Sequence, residues 1–106
     1  MRRGVGRREI LPKCSLTLVP DEDENIQPVK TDYQGKTIIL NRNNTEKNND
    51  TITSAQQAEL TQEDGHWYIT DKSALQSTYV HAGRRIELQS GDLIILGDRV
   101  FQFQAE

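Results

Sequence analysis

Apolar side chains in this chain come in short runs, each cut off by a turn signal, and nowhere do they recur at the spacing of a helical stripe. The stretch from Ala58 to Gly97 constrains the fold most. His66-Trp67-Tyr68-Ile69-Thr70-Asp71 is aromatic and β-branched and carries the only Trp. Leu88-Gln89-Ser90-Gly91-Asp92-Leu93-Ile94-Ile95-Leu96-Gly97 reads as a turn followed by a buried strand. Between them, Lys72-Ser73-Ala74-Leu75-Gln76-Ser77 is too polar for a core. Strand, polar loop, strand, turn, strand is the order of an all-β domain that displays a loop for recognition.

The rest of the chain repeats this grammar. Cys14 to Val19 alternates and reads as a first strand, ended by Pro20 and a solvated acidic turn, Asp21-Glu22-Asp23-Glu24. Ile26 to Lys30 reads as a weak edge strand, because Pro28 cannot donate to a ladder. Asp32 to Gly35 is expected to turn, and Lys36 to Leu40 to form a dense strand. Thr51-Ile52-Thr53 reads as a short strand. Ser54 to Leu60 has helix formers and a Ser54/Gln57 capping-box spacing, but too few apolar positions to anchor a helix. A turn at Ser54 and a strand from Gln57 to Thr61 fit better. Asp64-Gly65 between β-rich runs marks a hairpin. Thr78 to Val80, Arg84 to Leu88 and Leu93 to Leu96 follow as strands, with a turn at Gly97-Asp98. Arg99 to Phe103 closes the fold with Phe101 and Phe103 on one face.

At 106 residues the chain is one domain at most. Its net charge of −3 argues against nucleic-acid binding by overall charge. The charge is uneven. Arg2, Arg3, Arg7 and Arg8 stand in the first residues, whereas from Lys13 onward 9 basic residues face 15 acidic ones, a net of −6. Residues 1–12 are therefore expected to be a basic, disordered tail, with nucleic-acid contact as the competing role. Residues 13–106 are expected to be the domain. Cys14 is the only cysteine, which excludes an internal disulfide and favours a reducing, cytoplasmic setting. No apolar run is long enough to span a membrane. Cys14, His66 and His81 have no metal-ligand spacing, so neither a metal nor another cofactor is expected. No Ser-His-Asp order and no phosphate-cradling Gly loop is present, so no catalytic residue is assigned and the chain is not expected to be an enzyme.

The segment Asn41 to Asp50 has no apolar side chain and directly follows a buried strand. It is either a recognition loop or a tolerated surface insertion.

Order and spacing across Cys14 to Gln104 resemble those of a forkhead-associated (FHA) domain. In that family a Gly-Arg after a strand precedes a Ser-Arg-x-His-Ala motif. An aromatic strand ending in Asp, a Ser-x-Asn-Gly-Thr loop and a Gly-Asp-x-Ile-x-Ile-Gly strand then follow. Arg42 follows Ile38 to Leu40, and Ser54 to Leu60 takes the second position. Trp67 to Asp71 matches the aromatic strand, Ala74 to Val80 replaces the Asn-Gly-Thr loop, and Gly91 to Gly97 matches the closing strand. The chain is similar to a divergent, bacterial-type member.

The resemblance implies an FHA-like β-sandwich of about ten to eleven short strands, with recognition loops at one end. It also implies a non-enzymatic signalling or scaffold module that binds phosphothreonine in a partner protein. Kinases, phosphatases or secretion components are the implied associates; membrane and nucleic acid are not. By the same correspondence the phosphopeptide site comprises Arg42, Asn43, Ser54, Ala55, Leu75, Gln76, Ser77 and Thr78, with Gln57 as structural support. Arg42 would pair with the phosphate, Ser54 would donate its hydroxyl and Gln76 would hold the peptide backbone. Several positions depart from the family. Ala55 stands at the motif's Arg, Gln57 at its His, Gln76 at its Asn and Ser77 at its Gly; Leu75 offers no donor. These motivate the alternative of a degenerate scaffold that binds partners without phosphate.

Overall fold

Period-two alternation of apolar and polar residues produces two antiparallel sheets. The computed structural model describes residues 10–73, 78–79 and 85–106, with only the backbone at 78–79. The arginine-bearing residues 1–9, together with Leu75, Gln76, Ser77 and His81, lie outside the described residues. Nine strands are described: β1 Lys13–Val19, β2 Lys30–Gln34, β3 Thr37–Leu40, β4 Ala58–Glu63, β5 His66–Asp71, β6 Thr78–Tyr79, β7 Arg85–Leu88, β8 Leu93–Leu96 and β9 Arg99–Ala105. One sheet has the order β2-β1-β9-β8-β6 and the other β3-β4-β5-β7. This is the all-β sandwich that the alternation predicts.

The inner faces form one core. Leu16, Leu18, Ile94, Leu96, Phe101 and Phe103 come from the first sheet, and Ile38, Leu40, Leu60, Trp67, Ile69 and Leu88 from the second. Phe103 bridges the sheets, meeting Trp67 edge-on with ring centroids 6.0 Å apart. Each fully buried side chain of this size stabilises the fold by roughly 1.5–3 kcal/mol. The β4–β5 hairpin closes through Asp64 at φ 53° and Gly65 at φ 81°. Two successive left-handed residues make the tight turn whose twist matches the strands.

Four local expectations shift. β2 spans Lys30–Gln34, not Ile26 to Lys30, and the turn falls after it at Gly35. Tyr33 decides this register. It is buried from β2 and donates its hydroxyl to the Asn44 carbonyl at 2.6 Å. Thr51-Ile52-Thr53 is a turn, not a strand; Ile52 is fully buried and plugs the core from a loop. β8 is buried only on its inner face, since Leu93 and Ile95 point out and are exposed. Glu24 is not simply solvated, as shown below.

The pairings Leu40↔Ala58, Ala58↔Asp71, Leu96↔Arg99 and Val19↔Val100 set where the connections leave the sheets. The 41–57 loop, the 97–98 turn and the 20–29 loop all emerge at one end, where the chain also leaves β5. Asn49 and Asp98 are joined there by a side-chain hydrogen bond of 2.8 Å.

Cys14 lies inside the core with no exposed surface. Burial, reinforced by the Glu106 carboxylate, pushes its thiol up to about 12. The thiolate is the reactive form. In native buffer near neutral pH, Cys14 is therefore expected to react with a thiol reagent only as fast as the domain opens. Stopped-flow labelling with and without denaturant measures this.

Candidate functional site

The 41–57 loop is long and polar, yet ordered, because its polar groups satisfy one another. A single 3-10 turn, Arg42–Asn44, opens it. Asn41 and Asn44 form a reciprocal capping box. The Asn44 N–H donates to Asn41 Oδ1 at 3.1 Å, and the Asn41 N–H to Asn44 Oδ1 at 2.8 Å. Asn44 Nδ2 also donates to the Ile39 carbonyl at 2.7 Å, and Thr45 Oγ1 to the Asn41 carbonyl at 2.7 Å. Burial pushes the Tyr33 hydroxyl, which holds the Asn44 carbonyl, above the ordinary tyrosine range.

Arg42 has two parts. Its backbone N–H donates to the Thr53 carbonyl at 2.9 Å, closing the loop on itself. Its Nε donates to the carbonyls of Asn49 and Ile52, both at 3.0 Å. The terminal nitrogens stay at the surface, with Nη1 4.0 Å from the exposed Asp50 carboxylate. The guanidinium is thus anchored by one nitrogen and offers the fork of the other two.

The Arg42–Thr53 bond brings Arg42 to the foot of Ser54. Ser54, Ala55 and Asn43 are exposed, and neither the Ser54 hydroxyl nor the Asn43 carboxamide has a partner among the described residues. Gln57 is fully buried, and its Oε1 accepts from the Thr53 N–H at 3.0 Å. Its backbone bonds Leu40 and Lys72, so it ties together the ends of β3 and β5. Of the sites expected from sequence, Arg42, Asn43, Ser54, Ala55 and Gln57 come together on this one loop. Leu75, Gln76 and Ser77 lie outside the described residues, and Thr78 is described only as a backbone position in β6, paired with Leu96.

A second layer was not anticipated from sequence. The 97–98 turn sits directly against the loop. Gly97 is at φ 61°, and a Cβ there would stand 2.3 Å from Thr51 Oγ1 and 2.6 Å from the Thr51 carbonyl oxygen. The Asp98 N–H donates to Thr51 Oγ1 at 3.0 Å, and Asp98 Oδ1 accepts from Asn49 Nδ2. Those bonds to Asn49 and Thr51 hold the Asp98 carboxyl below the usual carboxylate range.

Next in the chain, Arg99 is sandwiched between two carboxylates. Nη1 and Nη2 reach the two Glu24 oxygens at 2.5 and 2.6 Å. Nε and Nη2 reach Glu46 at 2.9 to 3.1 Å. Asp21 lies 3.8 Å away. The Arg99 side chain is only 13% exposed. Hydrogen bonds to Arg99, aided by the Asp21 backbone, hold the Glu24 carboxyl down at about 2. Glu46 is lowered too, chiefly by Arg99. Exposed single pairs such as Arg85–Glu63 contribute roughly 0–1 kcal/mol; a guanidinium engaged bidentately on both edges belongs to a stronger class.

These residues line an open groove of about 520 Å³ bounded by Asp21, Glu46, Asn48, Asp50, Asp98 and Arg99. Among the described residues no three His, Cys, Asp or Glu side chains are arranged to hold a metal ion. Nor is any helix long and apolar enough to cross a membrane. The groove itself is acidic, and its Arg99 is taken up by Glu24 and Glu46; the donors left for an anion are the Arg42 Nη1 and Nη2 and the Ser54 hydroxyl.

The family model described as FHA domain matches residues 34–97. No curated protein matches the chain significantly. Among solved structures, the FHA domain of Rv0020c aligns with TM-score 0.65 at 15% identity, covering 97% of this chain and 100% of that one. A domain solved in a structural and functional analysis of phosphothreonine-dependent FHA domain interactions aligns with TM-score 0.62, also at 15% identity. It covers 89% of this chain and 97% of that one.

Two outcomes follow from the second layer. Gly97→Ala is expected to destabilise the fold by about 2 kcal/mol or more, since it combines a left-handed backbone with a clash against Thr51; chemical denaturation gives the value. The depressed Glu24 carboxyl contributes stability that is complete above its ordinary value of 4.5 and is lost as pH falls toward about 2, and the lowered Glu46 carboxyl adds to it in the same direction. Thermal melts over that window are expected to fall more steeply for the wild type than for Arg99→Met, which lacks the cause of the shift.

Proposed function

The chain belongs to the FHA-domain family, and from that premise we propose that it is a non-enzymatic module that reads phosphothreonine in a partner protein. The observation that carries this reading is the loop closure between the Arg42 N–H and the Thr53 carbonyl. It brings the Arg42 backbone alongside Thr53, one residue before Ser54, whose hydroxyl has no partner among the described residues. A phosphate brings about −1.5 to −2 charge and three acceptor oxygens. The Arg42 Nη1 and Nη2 fork takes two of those oxygens, in competition with a single exposed carboxylate at 4.0 Å. The Ser54 hydroxyl takes the third, and Asn43 contacts the peptide beside it. Ala55, which has no donor side chain, leaves room for the peptide.

Gln57 supports this wall from below by holding Thr53. Leu75, Gln76, Ser77 and Thr78 form the opposite wall in this reading, on the strength of their sequence position alone. Gln76 supplies a carboxamide to the peptide main chain, and Leu75 an apolar contact to the threonine methyl. The role is signalling or scaffolding, with a phosphorylated protein as partner and a kinase, phosphatase or secretion component as the associated machinery.

A phosphothreonine peptide library titrated by NMR tests this. Binding peptides are expected to shift Arg42 and Ser54, and their unphosphorylated forms to leave them unmoved. Arg42→Ala is expected to weaken binding at least about tenfold, equivalent to about 1.4 kcal/mol. Ser54→Ala is expected to weaken it several-fold with an unchanged melting temperature, because Ser54 supports no other described residue. A domain that captures partners equally well before and after phosphatase treatment is instead a phosphate-independent scaffold, and the reading falls.

A further inference from the structure

We propose that Arg99 is a positioning residue for phosphate recognition, acting on Arg42 through Glu46 and Asn49. The inference rests on the phosphopeptide reading above for its function, while the coupling itself exists in the unliganded protein.

An unbroken series of contacts runs from β9 to the Arg42 side chain. Arg99 Nε and Nη2 fix both oxygens of Glu46. Glu46 Oε1 accepts from Asn49 Nδ2 at 2.8 Å. The Asn49 carbonyl accepts from Arg42 Nε at 3.0 Å. Asn49 has no slack. Its Nδ2 also serves Asp98, and its Oδ1 accepts from the Thr51 N–H at 2.9 Å and Oγ1 at 2.6 Å. Its own N–H reaches the Glu46 carbonyl at 3.3 Å, and its carbonyl also takes the Ile52 N–H at 3.1 Å. An asparagine with every polar group engaged has one orientation, and its carbonyl is half of the anchor that aims Arg42.

Charge explains why Arg99 starts the series. Glu46 lies at the surface of a polar loop and would otherwise sample many rotamers, at an entropic cost when fixed. A guanidinium fork pairs with both carboxylate oxygens at once and so fixes the plane of the group as well as its distance. Glu24 meets the other edge of the guanidinium from the 20–29 loop, while Nε and Nη2 keep their own contacts to Glu46. The rigid frame of β9 is thereby extended into a loop that has no apolar side chain between Asn41 and Asp50.

Glu46→Gln puts an amide where one of two acceptors stood, so Arg99 and Asn49 can no longer both be satisfied. Glu24→Gln perturbs the same guanidinium from the far side and leaves the Glu46–Asn49–Arg42 contacts whole. The first readout needs no ligand: hydrogen exchange of the Arg42 side-chain Nε–H by NMR. Exchange is expected to be about tenfold faster in Glu46→Gln and unchanged in Glu24→Gln, with both variants folded by their amide spectra. The second readout uses the tightest phosphothreonine peptide from the library. Glu46→Gln is expected to weaken it about five- to tenfold, and to have no further effect in an Arg42→Ala background. Equal Nε–H acceleration in both variants, tracking their melting temperatures, would mean general loosening and overturn the proposal. So would an unchanged Arg42 signal in Glu46→Gln, or in Arg99→Met, which removes the fork and leaves Glu46, Asn49 and Arg42 in place. Should the wild type bind no phosphopeptide, the functional reading fails separately, and the exchange result still decides whether Arg99 orients Arg42.

Discussion

At Gly97 the main chain of the β8–β9 turn comes so close to Thr51 that no side chain fits between them. Much of the order at this end of the sandwich depends on that contact. Because the turn touches the loop backbone, Asp98 in the turn and Arg99 at the start of β9 come within reach of Thr51, Asn49 and Glu46. The loop therefore has a wall to lean on that belongs to the opposite sheet. Without such a wall, a segment of ten polar residues between Asn41 and Asp50 has nothing to bury and no reason to hold one shape. Ile52, buried just beyond it, pins the far end of the same excursion into the core.

The loop is held by polar bonds throughout, which sets it apart from the rest of the domain. In the sandwich, order comes from apolar area, and the polar ladders only have to avoid a penalty. In the loop each bond contributes about 1 kcal/mol net, more where a charge takes part. Order there needs many bonds acting together. The Asn41–Asn44 box, the Tyr33 hydroxyl and the Arg99 carboxylate pair supply them from three directions. The charge pair is the strongest of the three and the most sensitive to solution conditions.

The strands were largely legible from sequence, because alternation and turn residues are local signals. Asp64-Gly65 announced its hairpin, and Phe101 and Phe103 announced their shared face. The closing Gly-Asp strand announced the family. Errors arose where two patterns were locally equivalent. Thr51-Ile52-Thr53 alternates like a strand, yet one buried residue in a turn has the same pattern. Tyr33 reads as a turn neighbour until its hydroxyl finds a carbonyl eleven residues away. The long-range charges left no trace at all. Arg99 meets Glu46 from 53 positions earlier and Glu24 from 75. No spacing rule joins residues so far apart, and the acidic run at Asp21 to Glu24 looks the same whether solvated or clamped. Motif order singled out Arg42 and Ser54, which the closed 41–57 loop brings together. The bonds that aim Arg42 became visible only when the fold assembled them.

The double use of Arg42 explains why an arginine stands there. One nitrogen, Nε, is consumed by the loop it belongs to, with bonds to the carbonyls of Asn49 and Ile52. Two nitrogens are left for whatever binds. A lysine has one nitrogen on a flexible stem and would have to choose between holding the loop and meeting a ligand. The guanidinium is planar, so fixing Nε also fixes the plane and direction in which Nη1 and Nη2 point. Its aim is therefore inherited from the two carbonyls. Those carbonyls owe their own positions to the Ile52 plug on one side and to Asn49, held by Glu46 and Asp98, on the other. In the proposed role, the phosphate meets a fork whose orientation entropy was lost during folding. The departure at Ala55 sits beside this arrangement, whereas Gln57 takes part in it: its Oε1 accepts from the Thr53 N–H of the same peptide whose Ile52 carbonyl anchors Arg42 Nε.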